Sequence, residues 1–161
     1  MTLKLPDSVS SVHDLTALIL EVREYTKWYL QYANASKVKT TYAVAQPEIS
    51  PTAAEIIREW NKTSPLSGES LDTLISSLES IKKAAPTVTI TLAAPATSEV
   101  KKALVSWYRT NVSDTILISF GFNSNILGGM VVRYGSTIHD WSFRRVILNE
   151  RSKFGEILRR V

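Results

Sequence analysis

Apolar residues recur at helical spacing in three stretches of the first half of the chain. In the longest, residues 12–35, the stripe predicts one long amphipathic helix. A second helix should follow Ser50-Pro51, because serine caps helices and proline suits the first helical position. A third should open at Ser67 or Ser70. The positions expected to be buried are Leu15, Leu18, Ile19, Val22, Ala54, Ile57, Trp60, Leu71, Leu74, Ile75, Leu78 and Ile81.

The pattern changes to that of strands after Ala85-Pro86. Residues 88–92 alternate apolar and polar side chains, which is typical of a half-buried strand, and residues 114–119 predict a second one. Between them, residues 99–111 predict a helix. Its expected apolar face consists of Val100, Leu104, Trp107 and Tyr108.

A β-hairpin is predicted over residues 130–134 and 137–142, because Gly135-Ser136 suits a two-residue turn. Pairing of Tyr134 with Thr137 would divide the side chains between two faces. One face would carry Met130, Val132, Tyr134, His139 and Trp141, and the other Val131, Arg133, Ile138 and Asp140. We expect a flanking helix to cover the aromatic face. The preceding Gly128-Gly129 predicts a bulge or a close approach of two backbone segments.

A last helix is predicted after Ser142, which suits the N-cap position. Its inner side should carry Phe143, Val146, Ile147, Phe154, Ile157 and Leu158. The predicted fold class is α+β. Residues 1–86 form an all-helical N-terminal region, and residues 87–161 form a small domain with a hairpin-containing sheet and two helices.

Composition excludes several kinds of site. The 161 residues include no cysteine, so the chain has no disulfide, thiol nucleophile or cysteine-based zinc site. A net charge of +4 favours an acidic partner only weakly. The N-terminus lacks the apolar core of a signal peptide, and the run Leu18-Ile19-Leu20 is too short to span a bilayer. We therefore expect a soluble protein that could dock onto a membrane complex.

No catalytic, cofactor-binding or metal-binding residue is predicted. Gly128-Gly129 lacks the Lys-Ser/Thr of a phosphate loop, and neither His13 nor His139 has a neighbouring metal-ligand pattern. The predicted register places Arg133 and Asp140 diagonally on one face, which favours a structural ion pair.

A nucleic-acid role stays open at this point. Trp107, Tyr134 and Trp141 could stack on bases, so a free-standing protein- or nucleic-acid-binding module is the alternative function. A steep salt dependence of binding to DNA or RNA would support it.

The segment from residue 88 to 161 resembles the delta subunit of F-type ATP synthases, whose mitochondrial counterpart is the oligomycin-sensitivity-conferring protein. In that family a double glycine, an apolar-apolar-Arg-apolar-Gly run and an Asp-x-Ser-x-Arg element keep one order and spacing. The matching structural-motif residues are Gly128, Gly129, Arg133, Gly135, Asp140, Ser142 and Arg144. The chain departs from the family at Asn123-Ser124, where Asp-Pro is usual, and at Trp141, where glycine is usual. Its three predicted N-terminal helices are also fewer than the family's bundle contains.

The resemblance implies a non-catalytic stator subunit that needs no cofactor. It would link the catalytic head to the b subunits of the peripheral stalk. The helical region would bind alpha-subunit N-termini, and residues 87–161 would bind the C-terminal helix of subunit b. Nucleic-acid binding and direct membrane insertion are not expected. In a bacterium the protein would lie at the cytoplasmic face of the inner membrane, held there through the complex.

The first helix carries more apolar surface than two short helices can readily bury. Leaving one flank in water would cost several kcal/mol at roughly 25 cal/mol per Å². The candidate partner-binding residues are Leu18, Val22, Tyr25, Trp28 and Tyr29. They would bind a helix from another chain or, in the isolated protein, form a symmetric dimer.

Overall fold

The computed structural model describes residues 4–38 and 45–150, which divide into two compact units at Ala85 and Pro86. The helical unit contains α1 (Val12–Val38), α2 (Pro51–Thr63) and α3 (Gly68–Ala84). The α+β unit contains β1 (Thr87–Leu92), α4 (Ser98–Asn111), β2 (Leu117–Phe122), a 3-10 turn (Ser124–Ile126), β3 (Gly129–Tyr134), β4 (Thr137–Ser142) and α5 (Phe143–Asn149). The predicted α+β class is confirmed.

Side-chain caps fix where the helices of the helical unit begin. The Ser50 Oγ accepts the Ala53 N–H at 3.2 Å, and the Ser67 Oγ accepts the Ser70 N–H at 3.1 Å. Each cap satisfies a backbone donor that has no partner within its helix. The predicted cap at Ser50 is confirmed, and Ser67 is the cap of α3.

The core of the helical unit lies where α1 packs against α2 and α3. Its buried members from the three helices are Leu15, Leu18, Ile19, Val22, Ala53, Ile56, Ile57, Leu71, Leu74 and Leu78. In α2 the prediction was wrong at Ala54, which is exposed, whereas its neighbour Ala53 is buried. Trp60 is half-buried, and its indole Nε1 donates to the Ser70 Oγ at 2.9 Å.

The strands of the α+β unit form one mixed sheet in the order β2-β1-β3-β4. Strands β1 and β2 are parallel and joined by α4, whereas β1–β3 and β3–β4 are antiparallel. In the hairpin Tyr134 pairs with Thr137 and Met130 with Trp141. The predicted register and the two predicted hairpin faces are therefore confirmed.

One face of the sheet packs against α4. Buried Val88, Ile90, Ile116, Ile118 and Val132 form this core with Val105 of the helix. Leu104 and Tyr108 also face this core, but Val100 and Trp107 are 45% and 56% exposed, so the predicted face of α4 was partly wrong. The buried face lies roughly a quarter turn around the helix from those two residues.

Two further boundaries or faces differ from the prediction. Strand β2 begins three residues later than residue 114, because a turn closed by the Ile116 N–H and the Ser113 carbonyl (3.1 Å) precedes it. In α5, Phe143, Val146 and Ile147 were expected on an inner side but are exposed. The predicted positions Phe154, Ile157 and Leu158 lie outside the described residues.

Candidate partner-binding surfaces

The double glycine places two backbone segments in contact. Gly128 and Gly129 have φ angles of 134° and 76°, in the region that side chains with a Cβ rarely adopt. A Cβ on Gly129 would lie 2.2 Å from the Trp141 carbonyl oxygen. The predicted close approach of backbone is confirmed, and it joins the start of β3 to the end of β4.

Gly128 makes room for the first residue of α5. A Cβ there would lie 2.4 Å from the Phe143 ring, and the Phe143 N–H donates to the Gly128 carbonyl at 3.0 Å. The preceding Leu127 has φ 62° and its side chain is 63% exposed. The glycine pair therefore anchors α5 and leaves a leucine pointing into solvent beside it.

Asp140, Ser142 and Arg145 close the end of β4. The Ser142 N–H donates to Asp140 Oδ1 at 2.9 Å, and Arg145 Nη1 donates to the Asp140 carbonyl at 3.0 Å. The buried Ser142 Oγ accepts the Arg145 N–H at 3.3 Å, which confirms Ser142 as the N-cap of α5. These contacts occupy backbone groups of an edge strand that could otherwise pair with another chain.

The predicted ion pair between Arg133 and Asp140 was wrong. Hydrogen bonds from Ser142, together with the nearby guanidinium groups of Arg145 and Arg144, hold the pKa of Asp140 below its usual 3.8. Arg133 stands exposed on β3 opposite Ile138. The motif residues thus do not form one site, and Gly135 lies at the hairpin turn with φ 57° and open space around it.

The lowered pKa of Asp140 gives a pH prediction. A carboxylate whose folded pKa is depressed contributes stability above its unfolded pKa and loses it as the pH falls through the folded value. We therefore expect the wild type to lose stability as the pH drops below 3.8, and Asp140→Asn to lose less. Urea midpoints at about pH 6 and about pH 3 check this. Equal losses in both proteins would show that Asp140 does not carry the effect.

A cavity of about 300 Å³ opens beside α5. Arg144, Arg145 and Asn149 supply most of its polar lining, and Ile126 and Leu148 supply apolar lining. Sequence reasoning missed Arg145, although an arginine three residues after a capping serine lies in the first turn of the helix. The cavity combines positive charge with apolar walls.

Large apolar side chains of β4 and α5 are exposed to solvent, those of β4 on both faces of the sheet, and Leu148 also lines the cavity. The exposed members are Ile138, Trp141, Phe143, Val146, Ile147 and Leu148, with 46 to 59% of each residue accessible. The helix α4 covers Val132 of the hairpin but leaves Tyr134 and Trp141 exposed, so the expected cover of the aromatic face was only partly right. Trp141 stacks on His139 with ring centroids 5.6 Å apart. We call the surface formed by α5, Leu127 and Trp141 at the end of β4 the α5 surface.

In the helical unit, two of the five candidate partner-binding residues are buried. Leu18 and Val22 are 3% and 0% exposed between α1 and its neighbours, so the expectation that they lie on a docking surface was wrong. Tyr25, Trp28 and Tyr29 are half-buried. Amphipathic spacing identified the apolar stripe, but α2 and α3 already cover its centre.

Aromatic residues in the C-terminal half of α1 form a cluster of contacting rings. The Trp28 ring stacks on that of Tyr32, with ring centroids 5.5 Å apart, and its centroid lies 5.3 Å from that of Tyr25. The Tyr29 hydroxyl donates to the Leu66 carbonyl at 2.8 Å. Tyr32 is 54% exposed. Because Tyr32 leaves this cluster partly open to solvent, a partner-binding role for Tyr25 and Trp28 remains a proposal.

A groove of about 400 Å³ between α1 and α3 is the second candidate surface. Ile19 and the 55% exposed Leu20 form its apolar wall, and Lys82 and Lys83 lie on its rim. Arg23 and Glu79 form an ion pair across it. Leu20 was missed because it lies beside the main stripe, and its side chain remains largely exposed.

Nothing in the described residues forms a chemical centre. Among residues 4–38 and 45–150, no group of three His, Asp or Glu side chains could hold a metal ion. In the same ranges no helix is long and apolar enough to cross a bilayer. The two surfaces can bind other molecules, and no arrangement of groups at either one suggests bond making or breaking.

Comparisons with known proteins identify the family of the chain. A comparison with curated proteins finds no match. The family described as ATP synthase delta (OSCP) subunit matches residues 62–153, which is more than half of the chain and runs from the end of α2 through α5. The match thus begins earlier than the resemblance noted from residue 88. The chain belongs to the ATP synthase delta (OSCP) subunit family, whose members are non-catalytic peripheral-stalk subunits of a membrane-associated complex.

Proposed function

We propose that this chain is the stator subunit that joins the catalytic head of a proton-translocating F-type ATP synthase to its b subunits. The proposal rests mainly on one observation: a chain of this family exposes the apolar side chains of its α5 surface to solvent. A stator resists rotor torque, so it needs strong binding at separate points and no chemistry of its own. Two compact units in one chain provide two such points.

The α5 surface supports assignment of the stalk contact to the α+β unit. A soluble monomer rarely leaves a large continuous apolar patch in water, and such patches commonly mark interfaces. Here α5 has no buried residue, although the same unit buries Val88, Ile90 and Val105 fully elsewhere. The C-terminal helix of subunit b is the proposed occupant of residues 87–161.

The groove between α1 and α3 supports assignment of the head contact to the helical unit. A helix docks in such a groove by placing its apolar face on exposed side chains such as Leu20. The N-terminal segment of an alpha subunit is the proposed occupant. Because Leu18 and Val22 are buried, this groove is the proposed site of that contact.

Co-purification with separate partners tests the proposal. We expect the full chain to bind both catalytic heads stripped of their own delta subunit and a soluble fragment of subunit b, and to hold the two together. Ile147→Asp should lose b and keep the head, because a charge replaces an exposed apolar contact on α5. Leu20→Asp should lose the head and keep b. Each loss is expected to exceed about tenfold in Kd.

The two variants serve as controls for each other, since each changes one exposed apolar residue to aspartate. Binding of neither partner by the wild-type chain would refute the stator function. Loss of both partners in either variant would refute the division between the two units. In a bacterial cell the chain should be recovered with membranes through the complex, on their cytoplasmic face.

A further inference from the structure

The groove between α1 and α3 is lined by one face of each helix. Ile19, which is 5% exposed, forms its floor, and the 55% exposed Leu20 forms its apolar wall. The lining residues follow three- and four-residue spacing along both helices: Thr16, Ile19, Leu20 and Arg23 on α1, and Glu79, Lys82 and Lys83 on α3. The groove therefore combines an apolar wall with a charged rim.

Positive charge is concentrated at this groove. Arg23, Lys82 and Lys83 supply three cations against the single carboxylate of Glu79 among the lining residues. Residues 1–85 as a whole contain 9 Lys and Arg against 10 Asp and Glu, so the groove differs in charge from the region that contains it. Its surplus of cations favours a partner that brings a carboxylate.

The ion pair between Arg23 and Glu79 is one that a partner can exchange. The two side chains are 50% and 38% exposed, and ion pairs with such exposure contribute little to stability. Arg23 Nη2 donates to Glu79 Oε1, which leaves the other N–H groups of the guanidinium without a partner among the described residues. Arginine can hold a carboxylate through two parallel hydrogen bonds, so a carboxylate that meets it edge to edge replaces one bond with two.

Glu79 would find other cations after such an exchange. Lys82 and Lys83 lie three and four positions further along α3, one helical turn away on the same side. A glutamate four residues before a lysine forms a favourable pair on a helix. The carboxylate of Glu79 can therefore turn to these ammonium groups when Arg23 takes another partner.

We infer that the Arg23–Glu79 pair selects which helix binds in this groove, because an incoming helix must displace Glu79 with a carboxylate of its own. Leu20 and Arg23 are three positions apart on α1. The matching helix thus needs an apolar residue and a carboxylate about one helical turn apart. The inference rests on the proposed function, because this helix would be the N-terminal segment of an alpha subunit.

Calorimetric titration of the full chain with synthetic peptides tests this inference. The probe is the N-terminal segment of the alpha subunit from the same organism, about 25 residues long, which spans about seven helical turns. It is used in its native form and in a neutral form with Asp and Glu replaced by Asn and Gln. Kd is measured for the wild type and for Arg23→Gln, Glu79→Gln and Glu59→Gln.

Glu59→Gln is the matched control. Glu59 also belongs to an ion pair, with Lys62 of α2, but neither residue lines the groove. The three side chains to be replaced are 38 to 53% exposed, so all three variants should stay folded. Their melting temperatures check this.

The two members of the pair should have opposite effects on binding of the native peptide. Arg23→Gln should weaken it about tenfold or more, because the partner loses a charge-assisted hydrogen bond. Glu79→Gln should tighten it about threefold, because the competing carboxylate is removed. Glu59→Gln should change Kd by less than about twofold, and Arg23→Gln should have as small an effect on binding of the neutral peptide.

Three results would overturn the inference. Weaker binding of the native peptide by both Arg23→Gln and Glu79→Gln would show that the pair maintains the shape of the groove and selects nothing. Equal Kd values of the wild type for the native and neutral peptides would exclude a carboxylate at Arg23 while leaving the head contact intact. No binding of either peptide by the wild type would remove both the inference and the proposed head contact.

Discussion

Gly129→Val should unfold the α+β unit while the helical unit stays folded. The new side chain would meet the Trp141 carbonyl oxygen, to which even a Cβ would lie only 2.2 Å away. The clash is with backbone, so no rotamer change can relieve it. The φ angle of 76° adds strain for a β-branched residue. We expect a loss of about 4 kcal/mol or more in the free energy of unfolding.

Gly135→Asn is the matched control for this variant. Gly135 also has a positive φ, of 57°, but a Cβ there meets nothing within 4 Å. Asparagine tolerates this conformation, so the cost should be about 1 kcal/mol. Urea unfolding followed by circular dichroism, with limited proteolysis to show which unit opens, measures both variants. Equal stability of the two variants would mean that β3 can shift away from Trp141.

Leu18→Asp should unfold the helical unit. Leu18 is 3% exposed in the core between the helices, and a carboxylate there would lose its hydration without gaining a partner charge. The expected loss is about 4 kcal/mol or more, which is a large fraction of the stability of a small helical unit. The α+β unit should keep its protease resistance.

Leu20→Asp changes the same residue type two positions along the same helix. Leu20 is 55% exposed, so its replacement should alter the free energy of unfolding by no more than about 0.5 kcal/mol. A folded Leu18→Asp variant with normal melting would restore Leu18 as a docking residue. Val22→Asp should behave like Leu18→Asp, because Val22 is fully buried.

The hairpin could be predicted because its signals are local. Gly135-Ser136 sets the turn, and once Tyr134 pairs with Thr137 every later pair follows from the two-residue period of strands. Helix caps at Ser50, Ser67 and Ser142 were equally predictable. In each of them a hydroxyl accepts an N–H three residues further along, so no distant part of the chain is needed.

Helix faces could be predicted only approximately. In α4 the apolar residues extend around the helix from Val100 to Val105, and the sheet covers only part of that arc. The pattern in α5 likewise identified an apolar side without saying what would cover it. Burial is decided by the neighbours that tertiary structure supplies, and a single sequence does not locate them.

The error at Asp140 has a different cause. Strand geometry placed Arg133 diagonally across from Asp140, but the backbone N–H of Ser142, two residues away, donates to the carboxylate at 2.9 Å. Short aspartate side chains favour such local hydrogen bonds. Arg145 and Arg144, from the helix that follows, then supply the positive charge.

The central place of β1 in the sheet has a consequence for how the chain folds during synthesis. Both neighbours of β1 are made later, since β2 begins at Leu117 and β3 only at Gly129. At about 5 to 20 residues per second the ribosome needs seconds to complete them. Val88 and Ile90, which end fully covered, lack both neighbouring strands on the nascent chain during that time, when the helices of the other unit are already complete. Chaperone dependence of this protein should therefore centre on residues 87–92.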